Sequence, residues 1–321
     1  MADLKGKTFL VTGGAGFIGS NMCETLVEKG ATVVAYDNLS SGRYQFIKGL
    51  EAKDNFKFIK ADVLNPVAIT AAIKTEKVDV VIHLAANADV RKGFAETDLD
   101  LKQGVLATYN VLEAMRKTGV KDILFSSSSA VYGNAEERPT PESYGPLLPV
   151  SFYGSSKLAS EGLITAFSNL YGFRYYIYRF ANIAGKNGTH GVIPDFIKKL
   201  KQTPERLDVL GDGQQKKSYV GVTECIDAIL HVYHKSTSAA NLYNIASDDQ
   251  ISVKEIAELV RDSVSPSAKI SFTKSREGWP GDIADSYLEN AKLKELGFSP
   301  KLTSKETVRD AIAEVTTYLS K

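Results

Sequence analysis

Short runs of apolar and β-branched residues alternate with amphipathic stretches through the first half of the chain. The runs are apolar on both faces, which is typical of parallel strands buried between two layers of helices. On this pattern we predict strands at 8–12 (TFLVT), 32–37 (TVVAYD), 57–61, 78–85 (VDVVIHLA), 122–127 (DILFSS) and 174–179. Helices are predicted at 17–29, 66–74, 98–117 and 154–170. The alternation predicts an α/β fold built on a doubly wound parallel sheet of the Rossmann type.

The rhythm loosens after about residue 182, where loops rich in glycine and proline separate shorter elements. Elements are predicted there at 192–201, 218–222, 253–263 and 291–296. No stretch of distinctive composition separates this part from the first. We therefore expect residues 1–181 to form the larger unit, and residues 182–321 to form a smaller unit interleaved with it.

The composition narrows the range of partners. Of the 321 residues, 43% are hydrophobic and 24% are charged, which is ordinary for a folded globular protein. The 39 lysines and arginines nearly cancel the 38 aspartates and glutamates, so the formal charge of +1 gives no field that attracts nucleic acid or an anionic membrane. No apolar run reaches the roughly 18 residues of a membrane helix, and the N-terminus has no cleavable signal pattern. We expect neither nucleic acid nor a membrane as a partner.

Cysteines and histidines are few. Cys23 and Cys225 are far apart in sequence, so no disulfide framework is expected, and a reducing cytoplasm is the expected location. His231 and His234 are spaced i, i+3 on a predicted helix near Cys225. A metal site needs further ligands, and the sequence offers none beside them. No metal is expected.

A glycine-rich turn stands where the first strand passes into the first helix. Gly13, Gly16 and Gly19 follow a Gly-x-x-Gly-x-x-Gly spacing, and Gly14 gives Gly-x-Gly-x-x-Gly with the last two. Such a turn lets the backbone approach a pyrophosphate, and the helix N-terminus behind it supplies free amide donors. Asp37 ends the second strand, where its carboxylate can bind an adenosine ribose and repel a 2′-phosphate. The sequence therefore predicts a dinucleotide site that prefers NAD.

Tyr153 and Lys157 are spaced i, i+4, so both side chains project from one face of a predicted helix. A free tyrosine has a pKa near 10 and is a poor base at neutral pH. An ammonium about 4 Å away stabilises the phenolate by roughly 4 kcal/mol at an effective dielectric near 20, so we expect Lys157 to bring Tyr153 close to the operating pH. Ser128, after the strand at 122–127, can bond the same substrate oxygen.

The order and spacing of the glycine turn, Asp37, the serine segment and Tyr-x-x-x-Lys resemble the extended short-chain dehydrogenases/reductases, the NAD-dependent epimerase/dehydratase family. The resemblance covers nearly the whole chain. It implies Ser128 as the active-site hydroxyl, Tyr153 as the acid–base group, and Lys157 as its electrostatic partner and a ligand of the nicotinamide ribose. It implies NAD as the cofactor, with contacts from Gly13, Gly16, Phe17, Ile18, Gly19, Asp37, Asn38, Ser41, Gly42, Asp62, Val63, Leu84, Ala85, Ala86, Asn110, Tyr153 and Lys157.

The residues after Ser128 bear on the reaction. In this family the 4,6-dehydratases carry an Asp-Glu pair there, and decarboxylating relatives keep the glutamate; here Ser129 and Ala130 follow. The resemblance is greatest to the UDP-glucose 4-epimerases and implies epimerisation at C4 of a nucleotide-diphosphate hexose, from UDP-galactose to UDP-glucose through a transient 4-keto sugar. The alternatives are an epimerase of UDP-GlcNAc/GalNAc, UDP-glucuronate or a GDP- or CDP-hexose, and a non-catalytic NAD-sensing protein.

The resemblance also implies substrate contacts and an assembly. It implies that the long helices at 98–117 and 154–170 pair in a homodimer, although the residues alone allow both to be buried within one chain. Lys217 stands where the family usually has an arginine for the diphosphate. Trp279 stands where the family has a second arginine, and Arg276 could take over the role of that arginine. Ser286 is either a small residue that admits N-acetylated sugars or a surface serine. The implied substrate ligands are Ser128, Ser129, Asn182, Val192, Ile193, Leu210, Lys217 and Arg276.

Overall fold

A computed structural model of the chain describes residues 4–87, 89–273 and 278–319. Its strands are β1 (Thr8–Thr12), β2 (Thr32–Asp37), β3 (Phe56–Lys60), β4 (Val80–His83), β5 (Asp122–Ser128), β6 (Arg174–Phe180), β7 (Asn182–Ala184), β8 (Arg206–Val209), β9 (Lys216–Lys217), β10 (Tyr219–Gly221), β11 (Ala240–Ile245), β12 (Ile251–Ser252), β13 (Lys269–Phe272) and β14 (Asp285–Ser286).

The α-helices are α1 (Phe17–Glu28), α2 (Pro66–Thr75), α3 (Val90–Ala95), α4 (Ala107–Thr118), α5 (Phe152–Tyr171), α6 (Val192–Gln202), α7 (Val222–Lys235), α8 (Val253–Val264), α9 (Ala291–Glu295) and α10 (Ser304–Leu319). Short 3₁₀ turns lie at Tyr44–Phe46, Lys48–Leu50 and Ser129–Tyr132, and a π-helical turn, Leu101–Leu106, leads into α4. The single helix predicted at 98–117 therefore consists of two kinds of helix.

Seven strands form one parallel sheet in the order β11-β6-β5-β4-β1-β2-β3. The chain winds outward from β1 in both directions, because β1 pairs with β2 on one side and with β4 on the other. In open α/β sheets of this kind ligands bind at the carboxyl ends of the strands, where the winding direction reverses. The predicted doubly wound, Rossmann-type fold is confirmed.

The alternation of side chains along β1 shows why this sequence makes a two-sided sheet. Phe9 and Val11 point into a core shared with α1 and α7, whereas Leu10 points into a core shared with α2, α4 and α5. All three side chains are fully buried. Since strand residues alternate between the two faces, a strand that is apolar throughout has to be covered by helices on both sides.

Strand β11 completes the sheet from beyond residue 181. It pairs in parallel with β6, and α7 before it packs against α1. The expected boundary at 181 therefore runs between strands of one sheet. The remaining C-terminal elements enclose a third apolar core, with α6 packed on α8 and α10. No helix in the described part of the chain is both long and apolar enough to cross a bilayer.

Candidate active site

A cleft of about 890 Å³ opens at the carboxyl ends of the central strands. It lies at the position where the winding direction of the sheet reverses, between β1 and β4. Twelve of the residues expected to contact the cofactor line it: Gly13, Gly16, Phe17, Ile18, Gly19, Asp37, Asn38, Ser41, Val63, Leu84, Ala85 and Ala86.

The turn after β1 has room only for glycine at its crowded positions. Gly13 has a left-handed φ of 69°. A Cβ at Gly19 would lie 2.0 Å from the carbonyl oxygen of Gly13, and a Cβ at Gly14 would lie 2.8 Å from the Cβ of Ala35. The missing side chains bring the turn, the first helix and the strand together, which fits a backbone cradle for the pyrophosphate of a dinucleotide.

Asp37 stabilises the same turn with both carboxylate oxygens. One accepts a hydrogen bond from the amide of Ala15 at 3.0 Å, and the other accepts one from the amide of Leu39 at 2.7 Å. Burial raises the pKa of Asp37, while the two amide bonds act to lower it. The carboxylate lines the cleft, so it can also accept a bond from a ribose hydroxyl.

Three residues expected to bind the cofactor do not line the cleft themselves but contact residues that do. Asp62 accepts a hydrogen bond from Asn38 Nδ2 at 2.9 Å. A Cβ at Gly42 would lie 2.8 Å from a carboxylate oxygen of Asp37. Asn110 is buried on α4 and donates to the carbonyl of Val63 at 3.1 Å. These residues hold the segments that line the cleft, so any contact of theirs with the cofactor stays a prediction.

Ser128, Tyr153 and Lys157 come together where β5 meets the first turns of α5. Ser128, the last residue of β5, lies close enough to Tyr153 for its hydroxyl to act on the pKa of the phenol. Lys157 Nζ donates to the carbonyl oxygen of Ser126 at 2.6 Å and lies 5.8 Å from the centre of the Tyr153 ring. Ser126 lines the cleft, so the predicted catalytic group stands beside the predicted cofactor site.

The environment of this group shifts both pKa values. Burial raises the pKa of Tyr153 to about 12, with Asp100 acting in the same direction and the hydroxyl of Ser128 acting against it. Burial lowers the pKa of Lys157 to about 8, against the raising effects of Glu161 and Asp100. Desolvation of the tyrosine therefore outweighs the stabilisation of the phenolate that we expected from Lys157.

A second cleft of about 400 Å³ joins the first at Phe17 and His190, which line both. It contains three of the expected substrate ligands: Asn182 on β7, and Val192 and Ile193 in the first turn of α6. Asn182 donates through Nδ2 to the carbonyl of Ser218 at 3.3 Å. Burial is the main cause of the lowered pKa of His190, so a neutral imidazole faces both clefts at neutral pH.

Three further expected substrate ligands, Leu210, Lys217 and Arg276, do not line either cleft or lie outside the described residues. Lys217 Nζ is 2.7 Å from a carboxylate oxygen of Asp282, which is almost completely buried, and 5.5 Å from the centre of the Trp279 ring. Leu210 is exposed, and Arg276 lies outside the described residues. Lys217 therefore has a structural partner that the sequence did not reveal, and its contact with a diphosphate stays a prediction.

Some cleft residues were missed because nothing in their local sequence marks them. They reach the cleft from strand ends, from the π-helical turn and from the loop before α6. These residues are Tyr36, Ser40, Ala61, Gln103, Ser126 and Thr189.

Within the ranges 4–87, 89–273 and 278–319, no group of three or more His, Cys, Asp or Glu side chains could hold a metal ion.

Comparison with known proteins agrees with this geometry. The sequence profile of the NAD dependent epimerase/dehydratase family matches residues 9–246. A putative UDP-glucose 4-epimerase of Methanocaldococcus jannaschii is 33% identical over 308 residues, which cover 94% of this chain and 96% of that protein.

Solved structures of nucleotide-sugar epimerases are also similar to this chain. A UDP-galactose 4-epimerase superimposes with a TM-score of 0.87 and 36% identity, covering 97% of this chain and 99% of that one. A UDP-glucuronic acid 4-epimerase from Bacillus cereus, in complex with a UDP-sugar and NAD, gives a TM-score of 0.88 and 25% identity over the same shares. The chain belongs to the NAD dependent epimerase/dehydratase family of nucleotide-sugar enzymes.

Proposed function

We propose that the protein inverts C4 of a UDP-hexose, interconverting UDP-galactose and UDP-glucose through a transient 4-keto sugar. The observation that carries the proposal is the grouping of Ser128, Tyr153 and the Lys157 ammonium at the edge of a dinucleotide-type cleft. A protein that only sensed NAD would have no need of a proton-transfer group. The similar proteins named above are 4-epimerases of UDP-sugars, which supports the same reaction.

NAD is the cofactor of this family, and the site fits it. The glycine turn would hold the pyrophosphate, Asp37 would bind the adenosine ribose, and Lys157 would bind the nicotinamide ribose. When bound, NAD supplies a hydride acceptor that is regenerated within each turnover, so the cofactor can stay on the protein. The carboxylate of Asp37 repels a 2′-phosphate, which favours NAD over NADP.

Tyr153 takes the proton of the sugar 4-hydroxyl and later returns it, while Ser128 bonds the same oxygen. The raised pKa of Tyr153 means that the groups of this chain alone leave the phenol protonated at neutral pH. A cation placed against the ring acts in the opposite direction. We infer that the Lys157 ammonium is needed before Tyr153 acts as a base, and NAD, when bound, would add a positive charge that favours the same phenolate.

The residues after Ser128 favour epimerisation over elimination. Ser129 and Ala130 begin the 3₁₀ turn that follows β5, and neither provides a carboxylate. Removal of water from C5 and C6 of a 4-keto sugar needs an acid and a base close to those carbons. The proposed enzyme therefore returns the 4-keto sugar to an alcohol, and the new configuration follows from the sugar face that is reduced.

The test is incubation of the purified protein with UDP-galactose and no added NAD, with the products separated by chromatography. We expect UDP-glucose to form until the two sugars reach equilibrium. UDP-GlcNAc, UDP-glucuronate, and GDP- and CDP-hexoses serve as parallel substrates, and preferred turnover of one of these would replace UDP-galactose in the proposal. Retention of NAD without turnover of any sugar would favour the NAD-sensing alternative.

We also propose a homodimer formed through α4 and α5. Large apolar side chains are exposed on this surface at Leu106, Tyr109 and Leu170. On α5 the small residues Ala159 and Gly162 are also exposed, and small residues allow a second helix to approach closely. An exposed apolar surface of this kind is typical of a protein–protein interface.

A further inference from the structure

Asp100 is a buried carboxylate with one unsatisfied oxygen. Its side chain lies just before the π-helical turn, and the residue is 2% exposed. Oδ1 accepts a hydrogen bond from Asn87 Nδ2 at 3.0 Å, whereas Oδ2 has no hydrogen-bond partner among the described residues. Buried charges in proteins are ordinarily paired with an opposite charge or fully hydrogen-bonded. The position of Asp100 therefore calls for an explanation beyond folding.

Two glycines bring this carboxylate close to the catalytic helix. A Cβ at Gly93 would lie 2.0 Å from Oδ2 of Asp100, and a Cβ at Gly104 would lie 2.6 Å from Oγ of Ser156. The first glycine makes space for the carboxylate, and the second lets the π-helical turn pack onto the first turns of α5. Those turns carry Tyr153 and Lys157.

Lys157 is the buried cation that interacts electrostatically with Asp100. It is 3% exposed, and its ammonium makes one described hydrogen bond, to the carbonyl of Ser126. The remaining contacts of the ammonium are with aromatic rings, 4.8 Å from the centre of Phe125 and 5.8 Å from that of Tyr153. A lysine buried in this way tends to lose its proton, and burial indeed lowers its pKa to about 8.

Of the two carboxylates that act on this ammonium, Asp100 is the one with no other cation beside it among the described residues. Glu161, on the same helix, is already bound by two nitrogens of Arg179 and by the hydroxyl of Ser127. His83 on β4 is neutral, because burial lowers its pKa to about 3. Asp100 and Glu161 both act to raise the pKa of Lys157, but the charge of Glu161 is largely offset by Arg179.

We propose that Asp100 is an electrostatic positioning residue that keeps the buried ammonium of Lys157 charged while Tyr153 moves the substrate proton. The inference rests on the proposed function, because it assigns Asp100 a task in that same proton transfer. Asp100 acts through Lys157 and needs no contact with the sugar. Its removal therefore changes the pH range in which the enzyme works, and a purely structural carboxylate would not produce that effect.

The test compares Asp100→Asn with Asp98→Asn. The amide has the shape of the carboxylate and can keep the bond from Asn87, while Asp98 is an exposed acid on the same segment, bonded to Lys102. The first measurement is an NMR titration of NAD-loaded full-length protein labelled at lysine Cε. The Lys157 signal is identified by its loss in Lys157→Met.

In Asp100→Asn the Lys157 signal is expected to titrate about one pH unit lower than in the unmodified protein, and in Asp98→Asn at the same pH. No sugar is needed, so this result does not depend on which substrate the protein uses, and an unchanged titration overturns the proposal. In the sugar assay the pH at which kcat falls on the alkaline side should shift to lower pH by the same amount as the titration. At pH 8 this shift lowers kcat about fivefold, whereas kcat near pH 6.5 is mostly kept.

A second variant covers the case in which Asp100→Asn does not fold. Gly93→Ala places a methyl group where Oδ2 now lies, which forces the carboxylate away while leaving it in the sequence. We expect the Lys157 titration to move in the same direction. An equal loss of activity at every pH, with the Lys157 titration unchanged in the folded variant, assigns Asp100 a structural role and overturns the proposal.

Discussion

Glu161 on α5 and Arg179 on β6 form a two-point ion pair under the catalytic group. Arg179 Nε lies 3.0 Å from Oε1 of Glu161, and Nη2 lies 2.7 Å from Oε2. The guanidinium also lies 4.7 Å from the centre of the Tyr132 ring. Both partners are buried. Because Glu161 follows Lys157 by one turn, the pair fixes the catalytic helix to the sheet.

Glu161→Gln is expected to destabilise the protein strongly. The substitution leaves a buried guanidinium without its counter-charge, which typically costs about 3–5 kcal/mol. The matched control is Glu113→Gln, which removes a surface carboxylate bonded to Arg116 and should change the free energy of unfolding by less than about 1 kcal/mol. Urea unfolding of both variants measures the difference. Equal effects of the two substitutions would contradict a structural role for the buried pair.

Tyr153→Phe is expected to lower kcat by a factor of about 10²–10⁴, because it removes the acid–base group and keeps the ring. NAD content per chain should stay close to that of the unmodified protein. Tyr171→Phe, at the exposed end of the same helix, controls for loss of a tyrosine hydroxyl and should keep full activity. Full activity of Tyr153→Phe on UDP-galactose would remove the proposed role.

Gly19→Ala should reduce the NAD content. The added Cβ lies 2.0 Å from the carbonyl oxygen of Gly13, so the turn has to move, and a forced insertion of this kind costs about 1–3 kcal/mol. We expect NAD to bind about 5- to 150-fold more weakly, measured by calorimetry on protein freed of cofactor. The control is Gly49→Ala, because a Cβ at Gly49 meets nothing within 4 Å. Unaltered affinity in Gly19→Ala would argue against the cradle.

Leu106→Glu should dissociate the proposed dimer. A charge at this exposed apolar position faces the partner chain if α4 and α5 form the interface, and an unpaired buried charge is unfavourable. Val67→Glu places the same charge at an exposed valine of α2 and should leave the assembly intact. Light scattering measures the molar mass, which is 34.9 kDa for one chain. A monomeric unmodified protein would refute the dimer outright.

Local sequence was sufficient for the first two strands of the sheet. Strands β1 and β2 have the bounds that the apolar pattern predicts, since both are buried on two faces and end in a turn. Strand β11 was missed because it contains two asparagines. Asn244 is fully buried, yet it accepts from Tyr132 Oη and donates to the carbonyls of Thr140 and Glu289. Those partners are distant in sequence, so the segment alone looks like a loop.

In the site, too, features that depend on neighbouring residues could be predicted, and features that depend on distant residues could not. The glycine turn could be predicted because a positive φ and close backbone contacts demand glycine. Other properties of the site depend on tertiary packing. Burial raises the pKa of Tyr153, and Lys217 pairs with Asp282, which lies 65 positions later. The π-helical turn was not predicted, because its conformation depends on packing against α5, and a 3.6-residue period does not reveal it.

The place of β11 in the sheet also bears on how the chain is made. During synthesis the residues up to 181 emerge first, and they leave β6 (Arg174–Phe180) as an open edge strand carrying Tyr175, Ile177 and Tyr178. Unpaired edges of this kind invite pairing with other chains. The nascent protein stays exposed to aggregation until residues 240–245 leave the ribosome. A fragment ending at 181 should therefore be insoluble, whereas one ending shortly after 246 closes the sheet.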